Sequence, residues 1–251
     1  MLIIVDEILR EEYQSSIAQC GKNHPHTYVY IDDCIYTGNR LRYDLVEGED
    51  TAAWITKSAP RQCRLIVYTI GVHLFGMNYV DRLIREAARE KRINYTMAYN
   101  FSIDNYLLAT NTKAEVLWPE QMVDDSIQAY INQLRQKGRP IEKLFRPGGV
   151  PRVETLFSSS EARRVVEQAF LKKGLAIAMA GQSRAESLRP LGFEKFNTLG
   201  FGTFFTTFQN AANNCPLVLW WGNPALPATH PVGMWYPLLP RKTNSNDDRR
   251  L

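Results

Sequence analysis

The run from Tyr28 to Leu41, YVYIDDCIYTGNRL, constrains this chain more than any other stretch: an apolar segment ends in two adjacent carboxylates and then turns through Thr-Gly. Tyr28, Val29, Tyr30 and Ile31 predict a strand that can be buried in a parallel sheet, and such sheets gather ligands beyond the carboxyl ends of their strands. Asp32 and Asp33 fall at that crevice. The loop Cys34, Ile35, Tyr36, Thr37, Gly38, Asn39 is short, Gly38 permits a positive φ, and a helix is expected from Asn39. Its amides converge at a helix N-terminus, where a phosphate is favoured; Thr37 adds a hydroxyl and Arg40 adds charge at the rim. The paired hydroxyls of a ribose are donors that suit ionised carboxylates, directly or through magnesium. An ordinary strand-turn-helix, with the aspartates solvating the turn, accounts for Thr37 and Gly38 but less well for the acidic pair.

The 251 residues suffice for one large domain or two small ones, and 45% hydrophobic content supplies a core. Thirty basic against 26 acidic residues give a net charge of +4, too small and too dispersed to indicate nucleic-acid binding. Cys20, Cys34, Cys63 and Cys215 form no Cys-x-x-Cys pair, so neither a zinc ribbon nor a disulfide framework is predicted. No apolar stretch approaches a membrane span, and the start lacks a basic n-region. The expected compartment is the cytoplasm.

Strand and helix alternate: strand Leu2 to Val5, helix Ile8 to Cys20, strand Thr27 to Ile31, helix Glu49 to Lys57 capped near Asp50 or Thr51, strand Arg64 to Val72, helix from about Met77 to Arg92, strand Asn94 to Tyr99. That order predicts an α/β fold with a doubly wound, mostly parallel sheet. Pro119 to Lys137 predicts a helix opened by its proline, RPGGVPRV at Arg146 to Val153 a connection, and Ser158 to Lys173 a further helix. The expected organisation is a core at 1–112 carrying the loop, a helical insertion or lobe at 113–195, a C-terminal β segment at 196–240 completing the core or the site, and a disordered tail at 241–251.

Asn197 to Asn223 is the second unusual stretch, with Thr203 to Phe208 and Pro216 to Trp221 reading as strands around an Asn-rich turn. They are either paired core strands or a substrate-facing lip, in which Asn213 and Asn214 offer amides and Trp220 or Trp221 a stacking plane.

Four apolar residues, two acidic residues and a loop closing in Thr-Gly resemble the phosphoribosyl pyrophosphate (PRPP) motif of the type I phosphoribosyltransferases. A Phe run, Asn213-Asn214, then a Pro and an apolar stretch ending in Trp is similar to the divergent PRTase-CE branch found in bacterial conflict-system proteins. The resemblance implies that PRPP or a similar nucleotide binds at Asp32 to Asn39, with Asp32 and Asp33 as the catalytic carboxylates. It further implies magnesium as cofactor, Asn213, Asn214 and Trp220 toward the acceptor, and a role beside a conflict-system partner in defence.

The chain departs from the wider family before the motif. The pyrophosphate position falls on Asp6, Glu7 and Arg10, where the carboxylates serve only through magnesium, or simply favour a helix start. Cys20 to His26 leave no room for a covering hairpin, and a start directly in a strand predicts that an N-terminal portion is missing. Tyr99 to Tyr106, with Asp104 and Asn105, is the alternative cover or an ordinary loop. His73 either faces the crevice or packs; His24, His26 and His230 lack ligand spacing, and neither Gly148-Gly149 nor Gly200 to Gly202 matches a P-loop. Three readings remain open: a phosphoribosyl transferase, a ligand sensor without turnover, and an interaction scaffold.

Overall fold

Backbone pairing carries the first strand past its apolar letters. In the computed structural model, which describes residues 27–49, 52–180, 187–194, 196–207, 211–222, 226–227, 229, 233 and 235–239, β1 spans Thr27–Ile35. Asp32, Cys34 and Ile35 stay in the ladder because Thr69, Gly71 and Val72 of β2 (Arg64–His73) pair with them. The predicted strand end at Ile31 is thus corrected to Ile35, and the loop contracts to Tyr36, Thr37 and Gly38.

β3 (Asn94–Ile103) pairs with β2 in parallel, giving the order β1-β2-β3. It runs past the expected end at Tyr99, so the first half of the proposed cover is strand. After the loop come α1 (Asn39–Arg42), a π turn (Tyr43–Glu47) and α2 (Trp54–Lys57), the last much shorter than the helix expected from Glu49. α3 (Leu74–Lys91) turns Val80, Ile84, Ala87 and Ala88 inward at the helical period, as its sequence predicts.

These helices share one core with Tyr30, Leu65 and Val67. They lie on one face because successive parallel crossovers of one hand and one direction stay on one side of a sheet. On the other face Ile31, Tyr68 and Ile70 are 41%, 38% and 44% exposed. The described residues form an α/β unit with a three-stranded parallel sheet; a second helical layer is not seen among them. The predicted strand Leu2 to Val5 and helix Ile8 to Cys20 lie outside the described residues.

The chain divides into two units, Met1–Ile103 and Asp104–Leu251. In the second unit α4 (Asp125–Gln136) begins at Asp124, whose carboxylate accepts from the Ser126 and Ile127 amides, and not at Pro119. α5 (Ser160–Ala180) opens with the Ser159 hydroxyl accepting from the Ala162 amide and runs beyond Lys173. β4 (Leu188–Arg189) and β5 (Gly192–Phe193) make a two-residue hairpin. Among the described residues the strands expected at Thr203 to Phe208 and Pro216 to Trp221 are not seen: a lone Thr206–Ala211 bridge and the one-turn helix α6 (Leu217–Trp220) stand there. Pro216 has no amide to give a ladder, and Val218, Leu219 and Trp220 bury against α5 as a helical turn.

Candidate functional site

The loop after β1 is fixed from below by two glycines. Gly38 sits at φ 76°, where a Cβ would lie 2.7 Å from the Gly76 carbonyl oxygen and 2.9 Å from Val80 Cβ. A Cβ on Gly76 would fall 2.1 Å from the Tyr36 oxygen and 2.8 Å from the Thr37 carbonyl carbon. The loop backbone therefore lies directly on the first turn of α3, closer than any side chain permits.

Gly38 is also the N-cap of α1, and no side chain caps the helix. The Gly38 oxygen receives the first helical bond, from the Arg42 amide at 2.9 Å, and the Thr37 hydroxyl faces the Asn39 amide at 3.4 Å. Amides at an uncapped helix start, with Thr37 beside them and the exposed Asn39 and Arg40 around them, make a setting suited to an anion.

The two carboxylates are oriented by the backbone that follows them. Asp32 Oδ1 accepts from the Asp33 amide at 3.0 Å and Asp33 Oδ1 from the Cys34 amide at 2.7 Å. Burial pushes the Asp32 carboxyl above the usual range; the Asp33 amide and Arg40 pull it back, while the neighbouring Asp33 carboxylate adds to the rise. Two half-buried carboxylates this close gain from donors or positive charge brought between them. The pair therefore suits a diol. The described residues contain no group of three metal-ligating side chains, so a cation held by this pair would need its other ligands from a bound molecule.

A second shell of charge surrounds Asp32, and sequence reading overlooked it. The Tyr30 hydroxyl donates to Asp44 Oδ2 at 2.7 Å, and Arg40 Nε lies 3.8 Å from the same oxygen. Burial and the Asp44 bond keep the Tyr30 phenol protonated well above its usual pKa. The i, i+4 spacing of Arg40 and Asp44 was visible on a predicted helix; Tyr30 on the adjoining strand was not.

His73 packs under the loop. It is fully buried, its Nδ1 lies 3.3 Å from the Ile35 carbonyl and 3.6 Å from Cys34 Sγ, and the Tyr36 ring stacks on it at 5.1 Å. Burial lowers its pKa to about 4, so it is neutral at pH 7, and a carbonyl partner requires the proton on Nδ1. Across the sheet, Thr69 pairs with Asp32 on one side and Tyr99 on the other. Its hydroxyl is buried without a hydrogen-bond partner among the described residues.

The other predicted residues fall elsewhere. Asp6, Glu7 and Arg10 lie outside the described residues, as do His24, His26 and His230. Asn213, Asn214 and Trp220 belong to the second unit. There the Asn213 carbonyl accepts from the Phe193 amide, and Trp220, 5% exposed, donates its indole N–H to the Cys215 carbonyl at 2.9 Å. Asp104 Oδ1 accepts from the Tyr106 amide and the Asn111 side chain, and Asn105 is buried. An open pocket of about 450 Å³ lies at the opposite end of the strands, lined by Thr27, Gln62, Cys63, Arg64, Arg92 and Asn94, and no carboxylate lines it.

A parallel strand running into an acidic pair, followed by a glycine-seated loop and an uncapped helix start, defines a phosphoribosyltransferase-like α/β unit. The PRTase-CE family model matches residues 1–241, and the chain belongs to that family. No curated protein and no solved structure matches it.

Proposed function

We propose that the first unit binds a ribose 5-phosphate group, carried by PRPP or a related nucleotide, at the end of β1. The seating of the Tyr36 to Gly38 backbone against Gly76 carries this reading, because it fixes in place the short loop whose amides we assign to the phosphate. The 5-phosphate takes the loop amides and the Thr37 hydroxyl. The ribose hydroxyls donate to Asp32 and Asp33, whose Oδ1 atoms are already committed to the backbone. Asp32 and Asp33 are the residues that would hold magnesium, which would supply positive charge to offset the phosphates of the ligand.

Transfer proceeds by displacement at C1. The acceptor's lone pair forms the new bond as the C1–O bond breaks, and that electron pair leaves with pyrophosphate. Asp32 and Asp33 oppose the positive charge that develops on the sugar, so the protein's part is positioning and electrostatics. Family membership supports a setting in bacterial conflict systems beside a partner protein. Among the described residues Cys34, Cys63 and Cys215 form no disulfide, and no described helix is long and apolar enough to cross a membrane.

Calorimetry with ribose 5-phosphate and with PRPP plus magnesium tests the reading. Binding of both is expected, weakened about tenfold or more by Asp33→Asn, the range for losing a hydrogen bond to a charged group. Because the Asp32 carboxyl is raised, affinity should fall with acidification sooner than an ordinary carboxylate near pH 4 predicts, and Asp32→Asn should remove that early fall. Absence of binding to either ligand excludes the proposal. Binding without pyrophosphate release across a panel of acceptors favours a sensor.

A further inference from the structure

The second unit contains a buried cation with no anion among the described residues. Arg189, on β4, is 6% exposed, yet its one side-chain hydrogen bond among the described residues is from Nη1 to the neutral Tyr130 hydroxyl of α4, at 3.3 Å. Its Nε is sealed from solvent without a hydrogen-bond partner, and among the described residues no carboxylate pairs with it. Arginine cannot shed this charge, as a buried lysine would, because its guanidinium stays protonated throughout the accessible pH range. An isolated buried charge is costly enough that proteins either neutralise or pair it.

Arg163, in the same unit, shows the usual solution. It is fully buried and meets both oxygens of Glu154, Oε1 of Glu167 and the carbonyls of Ala114 and Val116. Arg189 has one neutral contact at nearly the same depth. The backbone around it is closely fixed: its strand pairs with Gly192, and Pro190 approaches Gly174 of α5 so tightly that a Cβ there would lie 2.6 Å from the Pro190 oxygen. The side chain is therefore held on a constrained hairpin and does not trail from a loose segment.

We infer that Arg189 and Tyr130 form a binding site for a small oxyanion, a phosphate or carboxylate group that sets two oxygens against the Nε and Nη2 edge of the guanidinium. That edge is the fork that recognises such groups in a bidentate manner, and Nε is the donor left without a partner here. Tyr130 holds the opposite side of the guanidinium through Nη1, which turns the fork. The site lies in Asp104–Leu251, is built from residues separate from the loop after β1, and does not depend on the ribose-phosphate reading.

Thermal unfolding of the full chain in phosphate-free buffer, with inorganic phosphate or sodium acetate added at constant ionic strength, tests the inference. Tm should rise with one or both anions, and the more effective one identifies phosphate or carboxylate chemistry. Arg189→Met should lose the response, with anion affinity about tenfold or more weaker, and should be at least as stable as the wild type without anion, since the substitution removes an unpaired charge. Tyr130→Phe should weaken the response less. If the wild type shows no anion response, the inference is overturned, whatever the variants do. It is equally overturned if the response survives in Arg189→Met; its loss in Thr37→Ala would then place the anion at the loop of the first unit.

Discussion

Within the second unit Arg146, Arg163, Glu154 and Glu167 consume one another, whereas in the first unit the charged groups at the end of β1 are held on one side and left open on the other. Arg163 and Glu167 meet at 3.1 Å with side chains 0% and 1% exposed, and Arg146 reaches Glu167 at 3.3 Å. Glu167 also accepts from the Trp118 amide at 3.0 Å. Burial raises the Glu167 carboxyl while Arg146 and Arg163 oppose the rise. Asp32 is raised by burial as well, but its relief comes from the Asp33 amide and the more distant Arg40, and the adjacent Asp33 adds repulsion. A buried charge whose partners are all supplied by the fold serves the fold, whereas Asp32 keeps acceptor capacity that the fold does not use. That difference separates scaffold from site in this chain.

The comparison breaks most visibly if the closed network is opened. Glu167→Leu leaves Arg146 with Glu120 and Arg163 with Glu154, and strands the Trp118 amide. Removing one partner of a buried ion pair costs about 3–5 kcal/mol. Urea unfolding of the full chain should show the second unit destabilised by that order, with ribose 5-phosphate affinity unchanged. A loss below about 1 kcal/mol would mean that the network is not closed in solution.

A smaller effect belongs to His73, the buried titratable group beneath the loop. Its folded pKa of about 4 lies below the ordinary 6.5, so the unfolded chain takes up a proton first as pH falls. Its contribution is therefore fully present above pH 6.5 and is lost as the pH drops toward and through 4. The gap corresponds to about 3 kcal/mol at most. The difference in urea stability between wild type and His73→Asn, whose amide can still donate to the Ile35 carbonyl, should change by that order between pH 7 and pH 4. A pH-independent difference would show that His73 is not buried neutral. Asp32 works in the opposite sense, its raised carboxyl favouring the folded state on acidification, so only the difference between the two proteins isolates the imidazole.

Legibility followed the same division. β2 and α3 could be read because Leu65 and Val67 alternate and Val80, Ile84 and Ala87 recur at the helical period, both local signals of a buried face. The extent of β1 could not, since Asp32 and Asp33 are poor strand formers, and the strand continues because β2, distant in sequence, pairs with Asp32, Cys34 and Ile35. Thr203 to Phe208 failed for the converse reason: its β-rich letters pack Phe204 edge-on against Phe157 and Phe170 without a ladder to join. The acidic pair and Thr37-Gly38 marked the site by their chemistry. Gly76 did not stand out, because a glycine in the first turn of a helix has no local signature of what approaches it. Arg189 was equally silent, as the absence of a partner is a property of the folded surroundings alone.

Gly76 offers the sharpest separation of site from scaffold at the smallest cost in stability. An alanine methyl there meets the Tyr36 oxygen at 2.1 Å and the Thr37 carbonyl carbon at 2.8 Å, both backbone atoms that cannot turn aside as a flexible side chain can. Either the loop lifts or the first turn of α3 recoils, and overpacking of this kind costs about 1–3 kcal/mol. Because the displaced atoms belong to the proposed phosphate cradle, ribose 5-phosphate affinity should fall by more than the stability change alone suggests, as the loop amides lose their convergence on one point. Gly148→Ala is the control: a Cβ there meets nothing within 4 Å, and both stability and binding should stay at wild-type values. If Gly76→Ala lowers Tm yet binds ribose 5-phosphate as tightly as wild type, the loop does not hold the phosphate, and the open charges at the end of β1 await some other ligand.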